Sequence, residues 1–168
     1  QARAPKALFQ AASDTGIKVI QVSAMGADQR GVTVPFLRTK QEADDFLLQL
    51  PGECIVLYPS IVLGRGGTST ALFNKLAALP VTPLVGDGNQ KLNPIHIDDF
   101  CDAVVHMVAH WPGGKQRHQL TGSTVLTTRE LYAMLRDWLR LGRARFLAMP
   151  MPLMKRLAGI ADALKLGG

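Results

Sequence analysis

A run of almost wholly apolar residues, ECIVLYP at 53–59, constrains the fold more than any other part of this sequence. Such runs are typical of β-strands that are covered on both faces, as in parallel sheets. A helix opened by Pro35 precedes the run, and a β-rich segment, IKVIQVS at 17–23, precedes that helix. A segment with helical apolar spacing, PKALFQAASDTG at 5–16, comes before the β-rich segment. Two successive helix–strand units predict an α/β fold with helices packed on a parallel sheet.

The pattern changes after residue 60. A loop, SIVLGRGGTST, leads to a helix with apolar positions at Leu72, Phe73 and Leu76, and PLVGDGNQKLNPIHI reads as two short extended pieces joined by a polar turn. Asp98 is predicted to cap the helix that follows. Thr127 and Glu130 have the spacing of a capping box, which predicts the start of another helix.

Charge and composition exclude several classes of partner. The net charge of +6 comes from 19 basic and 13 acidic residues that are scattered along the chain, and aromatic residues make up only 6% of it. We therefore expect no nucleic-acid binding. No apolar run is long enough to cross a bilayer, and the first residues lack the apolar core of a secretory signal. The sequence predicts a cytoplasmic protein, and we expect the amphipathic segment at 155–168 to pack on a core without membrane contact.

Metal binding is not expected either. Cys54 and Cys101 lie in a probable strand and a probable helix, and both are interpreted as buried, reduced thiols. His96, between two isoleucines, is interpreted as a buried structural histidine. His106 and His110 are four residues apart, but no glutamate of a zinc-binding HExxH motif accompanies them.

The helix that begins at Pro35 places Phe36 four residues before Lys40, so both side chains lie on one helix face. A tyrosine at this distance from a lysine could serve in acid–base chemistry. Phenylalanine has no hydroxyl and cannot transfer a proton.

Four segments, in this order, carry a family resemblance: VIQVSAMGA, PFLRTKQEAD, IVLYPSIVLGRGG and GDGNQKLNPIHIDDFCDAVV. Together they resemble the carboxyl-terminal two thirds of an extended or atypical short-chain dehydrogenase/reductase. The most similar branch is epimerase-like and includes nucleoside-diphosphate-sugar epimerase homologues and an accessory subunit of respiratory complex I. The resemblance implies a partial Rossmann-type sheet in residues 1–63 and a smaller substrate-binding part in 64–168.

The resemblance also implies roles for individual residues. In active relatives a tyrosine four positions before the lysine moves a proton, the lysine holds the cofactor ribose, and a serine orients the reacting carbonyl. Here Ser23 and Lys40 match the catalytic positions, and Phe36 occupies the tyrosine position. The implied cofactor-binding residues are Lys40, Pro59, Ser60 and Val62, and the implied substrate-binding residues are Tyr58, Gly64, Arg65 and Gly66.

Dinucleotide binding in such folds needs a glycine-rich turn after a first strand, and nothing before Ile17 matches it. Gly86-Asp87-Gly88 lacks the third glycine and is interpreted as a plain turn. We therefore expect a carboxyl-terminal portion of a longer protein that binds NAD or NADP, with weak or no binding by this portion alone. Its substrate would be a nucleotide-sugar or another small carbonyl or hydroxyl compound, which could carry a phosphate. The alternative is a non-catalytic protein for binding or assembly, and either could form an oligomer.

Overall fold

The computed structural model describes residues 2–150, which divide into two compact units. Within these residues, unit 1 comprises 2–62 and 94–123, and unit 2 comprises 63–93 and 124–150. The elements in chain order are α1 (Arg3–Asp14), β1 (Val19–Val22), α2 (Pro35–Gln49), β2 (Cys54–Pro59), β3 (Val62–Leu63), α3 (Thr68–Ala78), β4 (Thr82–Val85), β5 (Lys91–Leu92), β6 (Ile95–His96), α4 (Ile97–Ala109), β7 (Lys115–Leu120), β8 (Leu126–Thr127), α5 (Thr128–Trp138) and β9 (Phe146–Met149).

Unit 1 is built on a parallel sheet with the strand order β1-β2-β7. Every residue of the central strand β2 is buried, as the apolar run predicted. Side chains from β2 pack with residues of α1 and α2 in a single core that contains Phe9, Ala43, Leu47, Val56 and Tyr58. The α/β fold with helices on a parallel sheet is confirmed.

Local sequence signals explain the position of α2. Val34 is extended, and Pro35 stands in the first turn, where its fixed φ suits a helix and its missing N–H costs nothing. The helix ends at Gln49. The next residue, Leu50, is extended, because Pro51 follows it and disfavours helical geometry in the residue before it. The start and the end of α2 are thus both set by a proline.

Unit 2 contains a parallel pair, β4 with β9, and an antiparallel pair, β5 with β8. Helices α3 and α5 pack together, with the rings of Phe73 and Tyr132 at a centroid distance of 5.8 Å. Ala77, Leu84 and Tyr132 form the buried centre of this unit. The predicted capping box is confirmed, because Thr127 and Glu130 exchange side-chain and backbone hydrogen bonds at the start of α5.

The segment 86–88 forms a turn, as predicted. Gly86 and Gly88 both have positive φ, and the Asp87 carboxylate accepts hydrogen bonds from the backbone and side chain of Asn89. These bonds lower the pKa of Asp87. The two extended pieces around the turn do not pair with each other, since β4 pairs with β9 and β5 pairs with β8.

Three predictions of detail are wrong. Cys101 is exposed on α4, and only Cys54 is buried. His96 is exposed rather than buried, and its ring nitrogen Nδ1 accepts a hydrogen bond from the N–H of Asp98. His96 is thus the residue that caps α4, and Asp98 lies inside the first turn. A histidine side chain can accept this bond as an aspartate side chain would, so the residue pattern alone does not show which of the two caps the helix.

The described residues include no helix that is long and apolar enough to span a membrane. The amphipathic segment at 155–168 lies outside the described residues. The assignment of 1–63 to nucleotide binding and 64–168 to substrate binding stays a prediction, because the two units are defined by packing and not by ligands.

Candidate functional site

The carboxyl ends of β1, β2 and β7 meet at one edge of the sheet in unit 1. The N–H of Ser23, just after β1, donates to the carbonyl of Leu57 at 2.8 Å, and the N–H of Ser60, just after β2, donates to the carbonyl of Leu120 at 2.9 Å. Pro59 ends β2 between these two points. In parallel α/β sheets, ligands bind beyond the carboxyl ends of the strands. This edge is therefore the candidate site.

Lys40 reaches this edge from α2. Its Nζ donates a hydrogen bond to the carbonyl oxygen of Val22, the last residue of β1, at 3.2 Å. The same Nζ lies 5.6 Å from the centre of the Phe36 ring, one helical turn earlier. That distance is within the range of a cation–π interaction. Phe36 is 56% exposed, so this aromatic ring and the ammonium group share a surface that solvent reaches.

The hydroxyl of Ser23 has a different partner from the one that the resemblance implies. Ser23 is only 4% exposed, and its hydroxyl donates a hydrogen bond to the Asp44 carboxylate. Asp44 is itself 1% exposed and also accepts a hydrogen bond from Gln21 Nε2 at 3.4 Å. Burial raises the pKa of Asp44, while the hydrogen bonds from Ser23 and Gln21 and the charge of Lys40 oppose that rise.

Asp44 is the residue of this site that sequence reasoning missed. It follows Lys40 by four residues, as Lys40 follows Phe36, so the three side chains form one ridge of α2. That spacing was the available signal. A carboxylate on a helix is usually solvated, however, and nothing local in the sequence indicates that Asp44 is buried.

Tyr58 lies in the core of unit 1 and is only 2% exposed. Burial raises the pKa of its phenol to about 12. A phenol in this state releases its proton less readily than a free tyrosine. The placement gives no support to Tyr58 as a substrate contact or as a substitute for the missing tyrosine.

The glycine turn before α3 belongs to unit 2 and is closed by local hydrogen bonds. The N–H of Gly64 donates to Thr70 Oγ1 at 2.9 Å, and Gly66 has a φ of +77°. Arg65 is exposed in this turn, and Val62 of β3 is half-buried before it. Among residues 2–150 there is no cluster of three or more side chains that could hold a metal ion.

Comparison with known proteins identifies the class of fold. A protein described as MoeE5 in complex with UDP-glucose and NAD superposes with a TM-score of 0.70 at 18% identity, covering 86% of this chain and 56% of that chain. DesIV, a dTDP-glucose 4,6-dehydratase from Streptomyces venezuelae with NAD bound, superposes with a TM-score of 0.68 at 20% identity, covering 89% of this chain and 52% of that one. The chain shares the fold of these two solved proteins.

A relative was also found by sequence similarity. The chain is 29% identical over 157 residues to the mitochondrial NADH dehydrogenase [ubiquinone] 1 alpha subcomplex subunit 9 of Arabidopsis thaliana, covering 87% of this chain and 36% of the relative. No protein-family model matches the chain. The resemblance to epimerase-like short-chain dehydrogenase/reductases is confirmed in its fold. The chain spans about a third of the length of this curated relative and about half the length of the solved structures.

Proposed function

We propose that this chain is the carboxyl-terminal part of a Rossmann-type protein that binds NAD or NADP without tyrosine-dependent hydride transfer. One observation carries the proposal. The Lys40 ammonium is held at the carboxyl end of β1, and the side chain beside it, Phe36, has no hydroxyl. The lysine that would bind a ribose is present, and the group that would move a proton is not.

The edge of the sheet in unit 1 favours cofactor binding. An ammonium group has three N–H donors, and the contact with Val22 occupies one of them. The others can donate to the hydroxyls of a ribose placed beyond the strand ends. Pro59 ends the neighbouring strand, Ser60 directly follows it, and Val62 lies two residues further on. We assign these residues to the cofactor side of the site, and the solved structures with this fold contain NAD.

The chemistry of the same residues argues against catalysis by the usual route. Phe36 cannot donate or accept a proton. The hydroxyl of Ser23 donates to Asp44, so its proton is not directed at a substrate carbonyl. Tyr58 is buried, and its raised pKa makes it a poor replacement. None of these three positions therefore offers a free hydroxyl for proton transfer at this edge.

A role in assembly fits these features. The Arabidopsis relative is named as a subunit of an NADH dehydrogenase. A fold that lacks the catalytic tyrosine can still serve for binding or for structural support in a larger complex. We propose such a role here. The cytoplasmic location stays a prediction, since the relative carries a mitochondrial name.

The test is a fluorescence titration of the protein in its full natural sequence with NADH and with NADPH. We expect saturable binding of at least one of them below millimolar concentration, and weaker binding by the 168 residues alone. Failure of both titrations would remove the proposal.

A second experiment addresses catalysis. Phe36→Tyr restores the phenol, and we expect no oxidoreductase turnover with UDP-glucose as the trial substrate, because Ser23 stays bound to Asp44. Measurable turnover would identify a recently inactivated enzyme instead. Phe36→Leu is the matched control, since it also removes the phenylalanine but adds no hydroxyl.

A nucleotide-sugar enzyme is the second candidate, and exposed Arg65 before α3 is the observation that favours it. An arginine can bind a phosphate with two parallel hydrogen bonds. If this turn recognises a substrate phosphate, with Gly64 and Gly66 giving the backbone shape, UDP-glucose should bind to the wild type and bind less well to Arg65→Ala. Equal binding by both proteins would exclude this role for Arg65.

A further inference from the structure

Three polar side chains connect α2 to the end of β1 inside unit 1. Gln21 and Ser23 both donate hydrogen bonds to the carboxylate of Asp44. The two donors are two residues apart on the chain, so they project from the same side of the extended segment, towards the helix. We call these three residues the carboxylate latch.

The carboxylate of the latch is shielded from water, where an ionised group is costly unless it is hydrogen-bonded. Asp44 has almost no solvent exposure, and the charged form of a buried carboxylate is favoured only if hydrogen bonds replace its lost water. One donor lies in β1 and the other directly follows it, while Asp44 belongs to α2. The hydrogen bonds can therefore be kept only when the helix has one rotation and one height relative to the strand.

The hydrogen bond of Lys40 to β1 depends on the same placement of α2 relative to the strand. It lies one helical turn before Asp44, and its Nζ donates to the carbonyl of Val22, the residue between the two latch donors. Lys40 is half-buried with a long, flexible side chain, so a single hydrogen bond of 3.2 Å cannot fix the helix. The buried latch can fix it, because it has two bonds and shorter side chains.

We infer that Asp44 is a positioning residue: by accepting hydrogen bonds from Ser23 and Gln21, it sets α2 on the end of β1 so that the Lys40 ammonium meets the Val22 carbonyl. The inference deepens the proposed function and rests on it, because Lys40 is the residue assigned to the cofactor ribose. It also gives Ser23 a structural role. The serine hydroxyl serves the latch and is not available to a substrate.

The test compares Asp44→Asn with Asp45→Asn in the protein with its full natural sequence. The asparagine amide offers one acceptor oxygen where the Asp44 carboxylate offers two, so one latch bond is lost. Asp45 is exposed, and its change removes the same charge from the next residue of the helix. The first readout is the rate at which an amine-reactive acylating reagent modifies Lys40, measured by peptide mass spectrometry relative to Lys75.

Loss of one hydrogen bond of about 1 kcal/mol would raise the reactivity of Lys40 about fivefold in Asp44→Asn, with no change in Asp45→Asn. Leu47→Ala is a second control, because it removes a core side chain of α2 without touching the latch. A rise in Lys40 reactivity in Leu47→Ala as large as in Asp44→Asn would show that Asp44 is merely structural. Equal reactivity in the two aspartate variants would also overturn the inference.

The second readout is NADH affinity, which we expect Asp44→Asn to weaken about fivefold for the same reason. If the wild type binds no NADH, the proposed function fails, and the acylation rate still decides the inference. Should Asp44→Asn not fold, Ser23→Ala opens the latch from the strand side, and we expect the same rise in Lys40 acylation. An unchanged acylation rate in Ser23→Ala would then refute the latch.

Discussion

Arg136 gives the sharpest stability prediction, because it is a buried cation whose hydrogen bonds are all to backbone carbonyls. It is 6% exposed, and its guanidinium donates to the carbonyls of Ala77 at 2.5 Å, Leu79 at 2.7 Å, Leu141 at 3.0 Å and Gly142 at 3.3 Å. The guanidinium thus supplies hydrogen-bond donors both to carbonyls at the end of α3 and to carbonyls of the chain after α5. Arg136→Met keeps the aliphatic length and removes every donor.

The expected cost follows from the two shortest bonds. Each buried acceptor left without a partner costs about 1–3 kcal/mol, so the carbonyls of Ala77 and Leu79 together cost about 2–6 kcal/mol. Removing a desolvated cation returns part of that energy, and we expect a net loss of about 3 kcal/mol in the free energy of unfolding. Arg143→Met is the control, since Arg143 is exposed and its loss should change stability by less than about 0.5 kcal/mol.

The assay is urea unfolding followed by tryptophan fluorescence in a Trp111→Phe background, which leaves Trp138 of α5 as the reporter of unit 2. The midpoint of Arg136→Met should fall well below that of the Arg143→Met control, with a similar slope. A difference of less than about 0.5 kcal/mol between the two variants would refute the assignment of these carbonyls to the guanidinium.

Two further perturbations test other parts of the account. Gly88→Ala should destabilise unit 2 by about 2–3 kcal/mol in urea unfolding, because φ is +76° and the new Cβ would lie 2.7 Å from Leu84 Cδ1. Gly16→Ala is the control. Its φ of +70° is similar, but the new Cβ would meet open space, so the cost should be only about 1 kcal/mol. Asp44 should make the folding stability depend on pH. Burial raises its pKa in the folded state, so the stability gained from its proton is complete below the ordinary pKa of aspartate and is lost as pH rises through the raised value. The unfolding free energy of the wild type minus that of Asp44→Asn should therefore fall across that window, and a flat or rising difference would contradict the raised pKa.

Local patterns were sufficient to predict the elements that build the sheet. The apolar run of β2 is buried because it lies between helices and neighbouring strands, and Pro35 starts α2 through a constraint on its own backbone. The capping box of α5 needs only two residues that are three apart. Such signals act within a few residues, so a single sequence contains them in full.

The buried polar residues could not be predicted in this way. Asp44 and its donor Ser23 are 21 residues apart, and Arg136 and its acceptor Ala77 are 59 residues apart. Whether a charged side chain is solvated or buried depends on partners that only the folded chain brings together. The same limit applies to Ser23, because the sequence around it does not indicate that its hydroxyl donates to Asp44.

The assignment of Lys40 to the cofactor ribose is tested by titrating NADH into the full natural protein and into its Lys40→Met variant and following the fluorescence of the bound nucleotide. We expect binding by the wild type and a loss of about tenfold or more in Lys40→Met, because a charged donor to the ribose is removed. Lys75→Met, an exposed control on α3, should bind as the wild type does. Equal affinity of the wild type and Lys40→Met, or no binding by the wild type at millimolar NADH, would contradict the account.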